Sequence, residues 1–325
     1  MPNQTIALLH PGEMGAALGA CLVSRGLRVL WVSRDRSAAT RKRAETAGLE
    51  ACETLDRALA AAEIVFSVCP PHGALDLARA VAAKKNFRGI YVDANAIAPA
   101  SAREIGRVIE AAGASFVDGG IIRPPPSAPG RTRLYLSGLA RETIAALFAS
   151  THVQAVALDG EIGAASALKM AYAAWTKGST ALIAAVRALA QSEGVDASLL
   201  EEWKLSQPRL LQESDAVPGK VRKAWRWVAE MEEIAASFEA AGLPGGFHHA
   251  AAEIYGRLAA FKDAAAPPPL DQVTAALRKG GPKRALHPLL EGEGRARSAR
   301  GGVIGFTPSR LASDDARRPP PSRGR

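Results

Sequence analysis

The residues best placed to do chemistry near the start of the chain are His10-Pro-Gly-Glu-Met-Gly15, which follow a short apolar run and open an amphipathic stretch. A strand that feeds a helix through a glycine turn brings unpaired helix N–H groups and a partial positive charge against a phosphate. Gly12 would let the backbone approach a pyrophosphate, and Gly15 would allow close helix–strand packing; Glu13 and Met14 complete this candidate cofactor-binding turn. The first glycine of a G-x-G-x-x-G pattern is missing: His10 stands in its place, and Pro11 would fix the turn instead. About 20 residues on, where ribose selectivity is set, the second β-rich run ends in Val32-Ser-Arg-Asp-Arg36. An NAD site usually carries Asp or Glu at that strand end. Ser33 and Arg34 suit a 2′-phosphate, so the cofactor expected is NADP, with Asp35 keeping NAD open and Arg34 and Arg36 also readable as solvated loop charges. Val68-Cys-Pro-Pro-His72 follows a buried-looking strand. Cys69 and Pro70 could wall the nicotinamide or adenine side of a crevice, and an ordinary loop is an equal reading.

Other clusters invite sharper readings than their context supports. His248-His249 with Glu253 could be drawn as metal ligands, but adjacent histidines on a helix point in different directions, and no metal is expected. Lys220, Arg222, Lys223 and Arg226 lie beside Trp225 and Trp227. Such a set could meet phosphate or nucleic acid; a solvated helix face with one tryptophan turned inward is the reading preferred. Cys21, Cys52 and Cys69 are odd in number and contain no C-x-x-C, which argues against a disulfide framework or zinc site and for a reducing cytoplasm.

The elements that must position these residues alternate. Candidate strands at 5–9, 28–32, 64–68, 90–93 and 115–118 are separated by candidate helices at 13–25, 37–47, 55–62, 75–83 and 100–112, with two more β-like runs at 133–136 and 153–158. This is the βαβ pattern of an open parallel sheet covered by helices on both faces, with its ligand crevice at the carboxyl ends of the strands. From Gly163 to about Glu193 the sequence is continuously helix-compatible, which predicts a helix of about 45 Å that bridges domains or packs on a second subunit. Helical periodicity continues to about Phe261. The fold class expected is therefore α/β: a doubly wound Rossmann-type domain over 1–158, an all-α domain over 159–265, and a loose Pro/Gly/Arg-rich tail over 266–325.

With 325 residues, 48% hydrophobic and 22% charged, the chain can bury a real core. No apolar run approaches the roughly 20 residues of a membrane helix, and the first residues lack the pattern of a signal peptide. The net charge is +9, but ten Lys/Arg against four Asp/Glu after residue 280 place +6 of it in the tail. That excludes a strongly basic folded part, and leaves an inert extension or a weak, salt-sensitive contact with polyanions as readings of the tail.

Four ordered motifs, Gly12-x-Met14-Gly15, Asp93-Ala-Asn-Ala-Ile-Ala-Pro99, Val117-Asp-Gly-Gly120 and Gly160-x-x-Gly163 followed by Lys169, resemble those of the β-hydroxyacid dehydrogenases. That family includes 3-hydroxyisobutyrate and 6-phosphogluconate dehydrogenases, and the resemblance covers roughly residues 5–175. The helical remainder, with Trp203, Trp225-Arg-Trp227 and Gly242-Leu-Pro-Gly-Gly-Phe247, looks like a less characterised, phosphogluconate-dehydrogenase-like branch. The resemblance implies an NAD(P)-dependent dehydrogenase acting on a CH–OH group, with Lys169 as catalytic acid/base near the start of the long helix. Apart from it, Lys169 reads as a surface lysine. Burial in a cleft would lower the pKa of such a lysine toward the working range.

Departures from the family pattern bear on substrate. The family's Asn, four residues after the lysine, is here Ala173, and Tyr172 or Trp175 would fill that space. Its Ser-Gly-Gly substrate segment is replaced within Asp118-Gly-Gly-Ile-Ile-Arg-Pro124. Gly119, Gly120 and Arg123 are the substrate-loop candidates: Arg123 could clamp a carboxylate, and the isoleucines could equally mark a less polar substrate. Asn95 stands where the family often has Ser, and is expected to touch cofactor or substrate. The expected activity is hydride transfer between NADP(H) and a small hydroxy/carbonyl compound, a 3-hydroxyacid or sugar-acid-like molecule. Reduction of C=N bonds, as in related imine reductases, and a non-catalytic NADP-binding sensor or scaffold are the alternatives. A homodimer through the helical domain is expected, with no membrane partner and nucleic acid disfavoured.

Overall fold

The computed structural model describes residues 4–262 and 264–279. The expected loose basic extension lies, from residue 280 onward, outside the described residues. Among these residues eight strands and thirteen α-helices occur, beginning with β1 (Thr5–Leu9), α1 (Glu13–Ser24), β2 (Arg28–Val32), α2 (Ala38–Thr46), β3 (Glu50–Cys52), α3 (Leu55–Ala61), β4 (Ile64–Ser67), α4 (Ala74–Ala83), β5 (Ile90–Asp93), α5 (Pro99–Ala111), β6 (Ser115–Ile122), β7 (Thr132–Ser137), α6 (Arg141–Leu147), β8 (Val153–Ala157) and α7 (Ala164–Ser192). Then come α8 (Asp196–Ser206), α9 (Pro208–Asp215), α10 (Val217–Val221), α11 (Trp227–Ala240), α12 (Gly246–Arg257) and α13 (Leu270–Arg278).

The sheet runs β3-β2-β1-β4-β5-β6-β7-β8, parallel throughout except where β7 turns back along β6. Chain order reverses direction between β1 and β4, which opens the crevice at the carboxyl ends of those two strands. Each central strand feeds both faces of the sheet: Ile6 and Leu8 enter one apolar cluster, Ala7 and Leu9 the other. That double burial is why β1 and β4 read as unbroken apolar runs rather than alternating ones.

Three departures from the sequence reading have plain causes. Asp118–Ile122, expected to be a substrate loop, is the second half of β6; it pairs antiparallel with β7, and Gly119 and Gly120 are buried inside it. The tail does not begin at 266. Leu270–Arg278 forms α13, burying Val273 and Leu277 in the helical core, an i, i+4 pair after Pro269 that is enough to dock a helix of about two and a half turns. The boundary at 158 marks a change of architecture only, because contacts knit the described residues into one compact unit. Two elements do the knitting. The first turns of α7 pack on β6, and α11 turns one face toward the sheet domain, where Glu233 caps α5 by accepting from the Ala98 N–H at 2.7 Å and the Ser101 hydroxyl at 3.2 Å. No helix among the described residues is long and apolar enough to cross a membrane.

Candidate functional site

The glycine turn sits at the mouth of the crevice. A Cβ on Gly15 would lie 2.5 Å from the His10 carbonyl oxygen, so only glycine lets α1 start this close to the end of β1. A Cβ on Gly12 would meet nothing within 4 Å, which leaves open space beside the turn. The α1 N-terminus has no side-chain cap, and its first N–H groups are therefore available to an anion. His10, in place of the family's first glycine, holds a positive φ of 69° and buries an unpartnered Nδ1. Burial, with Arg36 adding to it, pulls the His10 pKa down to about 4.

A cavity of about 820 Å³ opens from this turn. One wall is Gly12–Gly15 with Val68-Cys69-Pro70-Pro71-His72; the other comes from the helical region and includes Thr176, Lys177, Lys220, Lys223, Trp225, Arg226 and Trp227. Cys69 is thus on the wall as a half-buried thiol, pushed up to about 11 by desolvation and by Asp93. The basic 220–226 segment, expected to be a solvated face, lies on this cleft, and Trp227 is the tryptophan turned inward, 5.0 Å from the Tyr255 ring. A second cavity of about 670 Å³, beside Arg103, Arg107 and Arg141, has no glycine turn and no lysine; the chemistry therefore gathers at the first.

Lys169 and Lys177, two turns apart on α7, meet one buried carboxylate. Glu230 of α11 takes Lys169 Nζ at 3.1 Å and Lys177 Nζ at 2.9 Å on the same Oε1 atom. Burial alone would raise the Glu230 pKa; the two ammonium groups overcome it and hold it at about 2. Burial lowers the Lys177 pKa, against the pull of Glu230 and with the repulsion of Lys169. Lys177 is on the cavity wall, and Lys169 joins it through the shared oxygen. Lys169 is placed by Gly120: a Cβ there would lie 2.5 Å from the Ala165 carbonyl and 3.1 Å from the Lys169 Cβ, so α7 can cross β6 only over glycine. Gly119 does the same against the Asp93 carbonyl.

Asp118 fixes the start of α7. Its carboxylate accepts from the Gly163 and Ser166 N–H groups, both at 3.0 Å, from the Ser166 hydroxyl at 2.6 Å and from Ser137 at 3.0 Å. Asn95 has a parallel internal task. Its amide donates to Ser67 and Asp93, and its oxygen accepts from the Cys69 N–H at 2.6 Å. It is 3% exposed, with both amide hydrogens committed, so it braces the 67–69 turn instead of presenting donors to a ligand. Burial raises its neighbour Asp93 to about 7.

The remaining predicted residues are scattered. Ala173 is fully buried in the helical core rather than facing a ligand, and Tyr172 faces outward at 37% exposure. Arg123, at φ 81°, follows the end of β6 and is exposed. Ser33 is tied to the Cys52 carbonyl, and Arg34 pairs with Glu53 at 2.7 Å on the surface. Arg43 instead reaches the Pro11 carbonyl beside the glycine turn. His248 lies between Phe238 and Phe247, while His249 bridges Glu232 and Glu239, so the adjacent histidines do point apart. Sequence reasoning missed Lys177 and Glu230. Lys177 had a signal, since it repeats the helix face of Lys169 eight residues later. Glu230 had none, because it arrives from another helix.

The open space at Gly12, the uncapped helix and the cationic far wall fit the diphosphate of a dinucleotide. The NAD binding domain of 6-phosphogluconate dehydrogenase matches residues 5–130, and a domain of unknown function, DUF1932, matches residues 190–258. No curated protein matches the chain. Among solved structures, a conserved protein of unknown function, described as structurally similar to 3-hydroxyacid dehydrogenases, is 26% identical with a TM-score of 0.60, over 79% of this chain and 97% of that one. A conserved hypothetical protein from Sinorhizobium meliloti is 24% identical, with a TM-score of 0.62, over 84% and 96%. The 3-hydroxyisobutyrate dehydrogenase of Mycobacterium tuberculosis shares the fold at 20% identity and a TM-score of 0.62, over 85% and 99%. With the cofactor-binding module at one end, the DUF1932 helices at the other and a fold shared with 3-hydroxyacid dehydrogenases joining them, the chain resembles the β-hydroxyacid dehydrogenases and has the architecture of an NAD(P)-dependent oxidoreductase.

Proposed function

We propose that this oxidoreductase uses NADP and acts on the hydroxyl or carbonyl carbon of a small acid, with Lys169 moving the proton. The observation that carries the reading is the Lys169–Glu230–Lys177 trio beside the glycine-turn cleft. When bound, the nicotinamide supplies or takes the hydride. In reduction, the Lys169 ammonium gives a proton to the carbonyl oxygen; in oxidation, the amine takes it from the hydroxyl. Glu230 fixes the direction of the ammonium. Sharing one carboxylate between two lysines leaves a surplus positive charge, which suits an acidic substrate and an oxygen gaining negative charge. The NADP preference rests on Arg34, paired with the exposed Glu53, and on Arg36 and Arg43, which lie near His10 and the Pro11 carbonyl at the glycine turn; a pair as exposed as Arg34–Glu53 exchanges readily for a phosphate.

The test is nucleotide oxidation, with NADPH and NADH in parallel, against 3-oxo acids, aldehyde acids, simple ketones and cyclic imines. Carbonyl turnover that falls about 10²- to 10⁴-fold in Lys169→Ala is the expected result. Loss in Lys177→Met with full retention in Lys169→Ala would move the proton to Lys177. Turnover of imines alone would replace the hydroxyl/carbonyl reading, and nucleotide binding without any turnover would favour a sensor.

A homodimer fits the same structure. Leu168, Tyr172, Trp175, Leu182 and Leu189 recur at near-heptad spacing along α7 and are 37–75% exposed, one apolar strip left uncovered among the described residues. Light scattering at micromolar concentration should give twice the chain mass, and Leu182→Glu should halve it; a monomeric wild type would end this reading.

A further inference from the structure

We propose that Lys223 and Arg226 clamp the diphosphate bridge of the dinucleotide from the helical side of the cleft, and that Glu13 competes with that diphosphate for the same two cations. The inference rests on reading the cleft as a dinucleotide site, and adds to it a second wall for the phosphates.

Glu13 is the first residue of α1, where the uncapped N–H groups would meet a diphosphate. A carboxylate there suits the helix dipole but repels an approaching anion. In the structure it is not left alone. Lys223 Nζ lies 3.3 Å and Arg226 Nη1 3.1 Å from one and the same oxygen, Glu13 Oε2. Both cations come from the short segment between α10 and α11, so they cross from the helical region onto the glycine turn. Glu13 is the one carboxylate on the described cavity wall, against Lys177, Lys220, Lys223 and Arg226. Lys177 is engaged by Glu230 and Lys220 by the Thr180 hydroxyl, so the exchangeable pair is the one on Glu13.

Exposure sets how easily that exchange occurs. The three side chains are each about half exposed, at 45%, 46% and 58%, and ion pairs of that kind are weak. A diphosphate offers more charge and more acceptor oxygens than one carboxylate, and a guanidinium fork matches phosphate oxygens in pairs. Arg226 is also held in place, with its guanidinium 5.3 Å from the Trp225 ring that lines the same cavity. When the diphosphate arrives, the cations move from Glu13 to phosphate, and the helical side closes on the turn by contacts the glycine motif cannot make.

The experiment is calorimetric titration of the full chain with NADPH, ADP, inorganic pyrophosphate and a small hydroxy acid, at two salt concentrations. It uses wild type, Glu13→Gln, and the double variant Lys223→Gln/Arg226→Gln. The double variant should bind NADPH and ADP at least about tenfold more weakly and with a shallower salt dependence. Glu13→Gln should bind both more tightly, by a few-fold. Opposite signs are the decisive result: if both variants weaken binding alike, the contact is a strut between regions and the clamp is wrong. Unchanged NADPH affinity in the double variant overturns the clamp alone, as does a loss confined to the hydroxy acid, which would assign the cations to substrate. A wild type that binds neither NADPH nor NADH overturns the cofactor reading itself. All three positions are exposed, and thermal melts within a few degrees of wild type would verify folding.

Discussion

The first turn of α7 and the middle of the same helix each rest on a buried carboxylate, and the two regions use it differently. Asp118 spends its oxygens on backbone N–H groups and two serine hydroxyls, groups that do not titrate in the working range. Glu230 spends one oxygen on two ammonium groups that can lose protons. The first arrangement gathers fixed donors and so makes a frame. The second gathers two ammonium groups on one oxygen, which is the kind of cluster proton transfer requires. The difference lies in what surrounds the carboxylate, since both are acids buried to a similar degree at the same helix.

Breaking the frame should cost most. Asp118→Ala strips a partner from two N–H groups and two hydroxyls at once, and should lower unfolding free energy by about 3–5 kcal/mol, measured by denaturant titration. A loss under about 1 kcal/mol would mean that packing over Gly120, and not the cap, holds α7. Glu230→Gln should cost about 3 kcal/mol at neutral pH by leaving two buried ammonium groups without their counterion. Its pH dependence sharpens the comparison. With its pKa held at about 2, below the value of about 4.3 for a free glutamate, Glu230 contributes stability that is complete above that free value and lost as pH falls toward 2. Thermal melts of wild type and variant should therefore converge on acidification, and a constant gap would refute the ion-pair account.

The smallest effect belongs to the glycine turn. His10 is held neutral down to about pH 4, so the unfolded chain binds more protons than the folded one between about 6.5 and 4, and native stability falls as pH drops through that window. His10→Gly removes both this term and the positive-φ strain, at the entropic cost of a glycine. Its advantage over wild type should stay within about 1 kcal/mol and be larger at pH 5 than at pH 8, by differential scanning calorimetry. An advantage that is larger at pH 8 would contradict the burial of a neutral imidazole.

Local pattern was enough for most of the elements. The apolar runs of β1, β2, β4 and β5 and the long Ala-rich stretch of α7 are visible because each is buried by short-range neighbours that share its period. Glu50–Cys52 gave no such signal; it is three residues with an exposed first half, recruited as an edge by β2. The second half of β6 misled for the opposite reason. Gly119-Gly120 ahead of Pro124 looks like a loop, but the glycines are there so that Asp93 and α7 can approach a strand.

By itself the sequence determined the doubly wound α/β class, the glycine turn at the end of β1 and the lysine near the start of a long helix, since each depends on residues close together in the chain. Only the tertiary structure decided that Asn95 and Ala173 are internal, that Glu230 binds Lys169 to Lys177, and that Lys223 and Arg226 face Glu13 across the cleft. Those facts join residues from separate elements. Their partners are set by how α7 and α11 pack on the sheet, and no local period or spacing carries that information.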